Sequence, residues 1–323
     1  LEGQVEICGV TTKSGAVNEK LGIKAPAFTS AVEMVKQTNP DFVILSVPHT
    51  ESFKVALDLV INVDTPILID TPISLDLKQI NILMANARDR GVKIGVIEDW
   101  PYLPLECFKR LLISEEEMGP LILAENDYRT YDYHGTAQLR SYFGKSLFPA
   151  IISQDGTNYM MPKCERKDGQ IIENEVDSWR LTMVRFNNGS MMLNKYSSQY
   201  KKVPYRISNG IRVYCRNSTI ISDCLLSQPF KASVVDSSGK THYLALSKEY
   251  YKNTIVSLST LLPSGKRVEW ANPFDKMELD EAQIGVMYHV DGMLKYLNHA
   301  EDRLLHTIED FYEDMKIFHG IVQ

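Results

Sequence analysis

The sequence predicts an α/β protein: a doubly wound parallel sheet followed by an α+β domain with a large open, mainly antiparallel sheet. Residues 5–97 alternate short apolar runs with helical patterns, which is typical of βαβ units. Period-2 patterns dominate after residue 120, as expected for antiparallel strands. With 323 residues, 44% of them apolar, the chain is long enough for two cores, and we expect domains at residues 1–98 and 99–323.

Four apolar runs and three helical patterns make up the first domain. Ser30 and Glu33 form a capping box ahead of the first helix, and Gly91 ends the third. The apolar runs resemble strands that are covered on both faces. In order, we expect strands at 5–10, 41–48, 66–70 and 92–97, with helices at 31–38, from 50 onward and at 76–90.

The second domain opens with a helix at 104–117 and a polar strand at 121–128. Its clearest hairpin joins 180–186 to 191–196 through Asn187-Asn188-Gly189, a strong turn signal. Further strands are expected at 210–215, 219–222, 231–235 and 241–246, and helices at 279–297 and 301–318.

Charge and hydropathy exclude several function classes. Lys and Arg number 35 against 41 Asp and Glu, a net charge of −6 without long blocks of either sign, which argues against a nucleic-acid partner. No apolar run approaches the ~20 residues that span a bilayer, and the first residues lack the pattern of a signal peptide. We therefore expect no membrane partner and a cytoplasmic protein.

Neither the cysteines nor the histidines are spaced like metal ligands. The five cysteines are dispersed without a Cys-x-x-Cys pair, and the seven histidines are scattered. We therefore expect reduced thiols and no metal.

Three of the predicted parallel strands end at a polar residue or a proline. One apolar run stops at Asp70, Thr71 and Pro72, an earlier one at Pro48, and a later one at Glu98. Because α/β proteins bind ligands at the carboxyl edge of the sheet, this edge is the predicted site.

Four segments give the chain a resemblance to a known family: Val47-Pro48-His49, Asp70-Thr71-Pro72, Glu98 and Tyr133-His134-Gly135. On these segments the chain resembles the glucose-fructose oxidoreductase / inositol dehydrogenase / MocA (Gfo/Idh/MocA) family of nicotinamide-dependent oxidoreductases. The resemblance implies a Rossmann-type dinucleotide-binding domain, a substrate-binding and oligomerisation domain, and hydride transfer between NAD(P) and a sugar, cyclitol or related polyol.

The resemblance also implies roles for individual residues. His134 corresponds to the acid/base, with Thr71 and Asp70 positioning the reacting oxygen. The alternative for His134 is an ordinary histidine satisfied near a helix N-terminus, and for His49 simply the start of a helix. Cofactor contacts are expected from Ser46, Val47, Pro48, His49, Asp70, Pro72 and Glu98. Substrate contacts are expected from Trp100, Tyr102, Tyr133 and His134.

The sequence departs from the family pattern at its start. The family's Gly-x-Gly-x-x-Gly turn, which seats the pyrophosphate at a helix N-terminus, does not occur in it. Since the first strand of a doubly wound sheet is central, we expect about 30 residues, one βα unit, ahead of Leu1.

Thr71 is the second departure, because the family has a lysine there that holds and polarises the substrate hydroxyl. The family's aspartate four residues ahead of the histidine is also replaced, by Thr130. Two alternative functions therefore stand beside the dehydrogenase: a non-catalytic sensor or scaffold that binds cofactor or sugar, and a redox-assisted lyase or glycosidase.

The choice of cofactor depends on the loop after the first predicted strand. An NAD-specific site has an acid there for the ribose 2′-OH, but this loop holds Thr11, Thr12, Lys13 and Ser14. A lysine flanked by hydroxyls suits a 2′-phosphate, so we expect NADP rather than NAD, with an ordinary solvated loop as the alternative.

The family resemblance and the open sheet together imply a homodimer or homotetramer.

Overall fold

The computed structural model describes residues 5–16, 22–127, 132–144, 147–164, 171–198 and 210–321. The described residues pack into two compact units. Unit 1 is drawn from residues 1–98 and 286–313, and unit 2 from 99–285 and 314–323. One division therefore falls after Glu98, and a late stretch of the chain packs with the N-terminal residues.

Two parallel sheets form the centre of unit 1. A two-stranded sheet pairs β1 (Val10–Thr11) with β2 (Ala27–Phe28), and a three-stranded sheet has the order β3 (Val43–Leu45), β4 (Ile67–Asp70), β5 (Ile94–Ile97). The connecting helices are α1 (Ala31–Thr38), α2 (His49–Asn62) and α3 (Leu77–Arg90).

Local signals in the sequence fix the ends of these helices. The Ser30 hydroxyl accepts a hydrogen bond from the Glu33 amide at 3.3 Å, which confirms the capping box. Asp76 caps α3 in the same way at 2.8 Å, and Gly91 ends it in the left-handed conformation at φ 72°. The strand expected at 5–10 is wrong over residues 5–9. Within residues 5–11, only Val10 and Thr11 pair with another strand, β2.

Residues 286–313 complete the core of unit 1. They include most of α6 (Glu281–Leu297) and the start of α7 (Ile308–Phe318), which begins later than the expected residue 301. Val290, Met293 and Leu304 pack with Leu68 and Ile97 of the three-stranded sheet. Beyond them the chain lies along β5, where the Val96 amide donates to the His306 carbonyl oxygen at 2.8 Å.

An eight-stranded sheet dominates unit 2. Its order is β13-β12-β11-β10-β6-β9-β8-β7, and in the part of the chain that the structure describes only the β6–β9 pair of this sheet is parallel. The strands are β6 (Leu121–Asn126), β7 (Pro149–Cys164), β8 (Ile171–Phe186), β9 (Met191–Ser197), β10 (Ile211–Cys215), β11 (Ser218–Ser222), β12 (Phe230–Val235) and β13 (Thr241–Leu244). The hairpin predicted around Asn187-Asn188-Gly189 is confirmed as β8 and β9.

Helices and a second, smaller sheet complete unit 2. The helices are α4 (Pro104–Ile113) and α5 (Asp132–Arg140), and the antiparallel sheet consists of β14 (Ser247–Tyr251), β15 (Thr254–Leu261) and β16 (Arg267–Ala271). The helix expected at 104–117 ends at Ile113, and a short 3₁₀ turn follows at Glu116–Met118. Among the described residues, no helix is both long enough and apolar enough to cross a membrane.

Candidate functional site

The ends of three parallel strands meet at one edge of unit 1. The register places Leu45 opposite Ile69 and Asp70 opposite Ile97. The chain therefore leaves β3, β4 and β5 at the same carboxyl edge, where α/β proteins place their ligands.

Asp70 and Ser46 are brought together at this edge. The Ser46 hydroxyl donates to a carboxylate oxygen of Asp70 at 2.8 Å, and both side chains are exposed. The pair presents an acceptor and a hydroxyl to solvent, a combination suited to binding the hydroxyls of a ribose.

Thr71 is half-buried, and its hydroxyl donates to the Ile97 carbonyl oxygen at 3.1 Å. This bond joins the ends of β4 and β5. Because a hydroxyl has a single proton, Thr71 offers a bound molecule only its remaining acceptor capacity while the bond is intact.

Glu98 follows β5 and is buried. Its carbonyl oxygen accepts a hydrogen bond from Nε2 of the buried His289 at 3.0 Å, so the exit from the strand is fixed by α6. Sequence reasoning missed His289, since a lone histidine in an amphipathic helix carries no signal of a role.

The segment Val47-Pro48-His49 joins β3 to α2 and is exposed. Pro48 is the N-cap and His49 the first helical residue, so the helix-start interpretation of His49 is correct at the level of structure. Pro72 lies directly after Thr71 and is half-buried.

The loop after β1 leaves the two-stranded sheet of unit 1 at Thr12. The Thr12 hydroxyl closes it locally by donating to the Ala16 carbonyl oxygen at 2.9 Å and accepting from the Ala16 amide at 3.1 Å. Thr11, Lys13 and Ser14 are exposed. The preference for NADP that rests on this loop stays a prediction.

His134 lies in α5 of unit 2 and is buried. Its imidazole has the Tyr133 ring at 4.2 Å and the Trp100 ring at 5.8 Å, centroid to centroid. Three of the four predicted substrate residues are thus together. Tyr102 instead stacks on the guanidinium of Arg110 at 5.4 Å, and Thr130 lies outside the described residues.

Asp99 is the residue that sequence reasoning missed beside His134. One of its carboxylate oxygens and a ring nitrogen of His134 lie within 4.8 Å of each other. A Cβ on Gly285 would lie 2.9 Å from the Asp99 carbonyl oxygen, so only glycine fits there without a shift. A signal existed, because Asp99 directly follows Glu98 at a strand end, where acidic residues gather in such sites.

The N-terminal segment matches one family model. Residues 4–98 match the Gfo/Idh/MocA model, described as an oxidoreductase family with an NAD-binding Rossmann fold. Over these residues the chain is similar to the NAD-binding domain of the Gfo/Idh/MocA oxidoreductases. The match confirms the resemblance on which the strand-end residues were singled out.

Solved structures of several oxidoreductases share the fold over nearly the whole chain. UDP-N-acetylglucosamine 3-dehydrogenase from Acidithiobacillus ferrooxidans is 12% identical, with a TM-score of 0.62 over 98% of this chain and 88% of that one. An NAD-binding oxidoreductase from Klebsiella pneumoniae is 15% identical, with a TM-score of 0.68 over 98% and 87%.

A third similar structure contains ligands. It is an oxidoreductase from Agrobacterium radiobacter in complex with NAD+, L-tartaric acid and magnesium, 13% identical, with a TM-score of 0.63 over 97% of this chain and 87% of that one. The search of curated proteins found no match. At these identities the structural likeness establishes the fold, and the predicted combination of a Rossmann-type domain with a large, mainly antiparallel sheet is confirmed.

Proposed function

We propose that this protein is an NAD(P)-dependent oxidoreductase that transfers a hydride between the nicotinamide and a hydroxyl or carbonyl group of a sugar, cyclitol or related polyol. The observation that carries the proposal is the group around His134: a buried imidazole with a carboxylate within 4.8 Å and two aromatic rings against it. The family of residues 4–98 supports a nicotinamide cofactor, and the UDP-N-acetylglucosamine 3-dehydrogenase supports a sugar substrate.

The strand ends of unit 1 fit the cofactor. Ser46 and Asp70 form an exposed hydroxyl and carboxylate pair at the ligand edge of the sheet, and Val47 and Pro48 directly follow Ser46 in sequence. When bound, the nicotinamide ring takes or supplies the hydride. Lys13 is exposed and favours the 2′-phosphate of NADP over NAD.

His134 would move the proton. In the oxidation direction, a ring nitrogen of His134 accepts the proton of the substrate hydroxyl. The carbon that bears this hydroxyl gives up its hydride to the nicotinamide and becomes a carbonyl carbon. The Asp99 carboxylate stabilises the imidazolium that forms. The Trp100 and Tyr133 rings suit the apolar face of a sugar ring. Thr71 would accept a hydrogen bond from the substrate and not donate one, since its proton is given to Ile97.

The first test is a titration with NADPH and NADH followed by assays on a panel of sugars and cyclitols. Replacing the acid/base in His134→Ala should lower kcat by about 100-fold or more. His242→Ala is the matched control, because His242 is paired with Asp236 at 2.7 Å in a turn of unit 2 outside the proposed site. An unchanged kcat in His134→Ala would exclude the acid/base role.

Thr71 is the reason to keep a second candidate function, a non-catalytic sensor that binds the cofactor or a sugar. The family resemblance implies a lysine at this position to polarise the substrate, and threonine carries no charge. A sensor binds NAD(P) tightly and turns over no member of the panel. Net hydride exchange with any sugar or cyclitol decides for the enzyme.

A further inference from the structure

Three buried polar side chains tie the helix of His134 to the sheet of unit 2. They come from three elements: Asn126 of β6, 2% exposed; Asn194 of β9, 1% exposed; and Thr136 of α5, 0% exposed. The Asn194 amide donates to the Thr136 hydroxyl at 3.0 Å. The Asn126 amide donates to the Asn194 carbonyl oxygen, and its own carbonyl oxygen accepts from the Lys195 backbone amide at 2.6 Å.

Filling an interior with this triad of polar side chains lowers the stability of the fold unless their hydrogen bonds are made. A buried amide or hydroxyl that does not make its hydrogen bonds destabilises the fold by more than a typical buried hydrogen bond stabilises it. Apolar side chains would fill the same space without that risk. What the triad adds is direction, because a hydrogen bond holds its two atoms within a few tenths of an ångström whereas apolar contact does not.

The direction matters because of the helical position of Thr136. It lies two residues after His134, and at 3.6 residues per turn the two side chains point about 200° apart around the helix axis. Thr136 faces the sheet, so His134 faces the opposite side, where Trp100 and Asp99 lie. A small rotation of α5 would break the Thr136–Asn194 bond and would also turn the imidazole away from these groups.

We infer that Asn126, Asn194 and Thr136 are positioning residues that fix the rotation of α5 and thereby aim His134. The inference rests on the proposed function for its catalytic consequence. Its structural content, a fixed orientation of the imidazole, does not require that the protein be an enzyme.

The test replaces the Thr136 hydroxyl and keeps the shape of the side chain. Thr136→Val should lower kcat by about 10- to 100-fold, the order expected for a misplaced catalytic group, with the KM for the cofactor within about two-fold of its original value. Thr136→Ser restores the hydroxyl and should restore kcat. Thr260→Val is the matched control: Thr260 is also buried, but its hydroxyl donates to the Ala245 carbonyl oxygen at 2.9 Å at the separate three-stranded sheet.

A second readout does not depend on turnover. In protein labelled with ¹⁵N-histidine, the imidazole signal of His134, assigned by its loss in His134→Ala, should shift or broaden in Thr136→Val and stay unchanged in Thr260→Val. If Thr136→Val does not fold, Thr136→Ala serves for the same comparison. An unchanged His134 signal and an unchanged kcat would overturn the inference, as would equal losses of kcat in the two valine variants. Absence of turnover in the unmodified protein would count against the proposed function alone.

Discussion

The Thr71 hydroxyl stands where the family resemblance implies a lysine, and it donates its proton to the Ile97 carbonyl oxygen at the sheet edge. Thr71→Val should remove that hydrogen bond and lower the free energy of unfolding by about 1 kcal/mol, the usual net value of one bond. We expect kcat to change by no more than a few-fold, since Thr71 offers the substrate only an acceptor. Thr71→Ser is the control that keeps the hydroxyl. A loss in Thr71→Val as large as that expected for His134→Ala would show that Thr71 takes part in the chemistry.

Asp99 is expected to act through its charge, because its carboxylate lies within 4.8 Å of a ring nitrogen of His134 and a negative charge at that distance favours a cation. Asp99→Asn keeps the shape and removes the charge, so kcat should fall by about 10-fold or more, while the KM for the cofactor changes little. Asp236→Asn, which removes the carboxylate beside His242, is the matched control. Steady-state kinetics over a pH series give kcat and the KM for the cofactor in both variants. Equal effects of the two substitutions would contradict the assignment of Asp99.

At the scale of elements, the sequence predicted those strands and helices that have a local reason to form where they do. The capping box at Ser30 marks the start of α1 and the glycine at residue 91 the end of α3, and both were placed correctly. The strand β7 was not predicted, because its middle part, from Ser153 to Met160, is exposed on both faces and shows no alternation.

The residues of the candidate site also fall into those that the sequence predicted and those that it did not. The strand ends carrying Asp70 and Glu98 were predictable, since the carboxyl edge of a parallel sheet is a ligand edge whatever the sequence. The neighbours of His134 were predicted in part: Trp100 and Tyr133 were named, whereas Asp99 was not. The triad under α5 was out of reach, because Asn126, Thr136 and Asn194 come together only through the pairing of β6 with β9.

At the scale of the whole molecule, one face of the eight-stranded sheet leaves apolar side chains exposed. Met183 lies opposite Leu193, and Leu181 opposite Lys195, so these four side chains share a face. Leu181 and Met183 are each 42% exposed. We propose that a second copy of this chain covers this face, which gives the homodimer or homotetramer implied by the family resemblance.

Sedimentation tests this proposal. The unmodified protein should sediment as a dimer or tetramer at micromolar concentration, and Met183→Asp, at a position opposite Leu193, should shift it toward the monomer, since a buried unpaired charge opposes association. Leu261→Asp is the control, because Leu261 is also apolar and 63% exposed but lies in the separate three-stranded sheet. A monomeric unmodified protein would contradict the proposal.

The segment that lies along β5 determines when unit 1 can fold. Residues 22–98 hold most of its sheets and connecting helices, but the apolar partners of Leu68 and Ile97, such as Met293 and Leu304, come about 200 residues later in the chain. On the ribosome, which releases the N-terminus first, one side of the nascent sheet therefore stays uncovered until residues 286–313 have emerged. A fragment that ends at residue 98 would leave that apolar surface open, so a shortened protein meant to represent the cofactor-binding half has to include residues 286–313 as well.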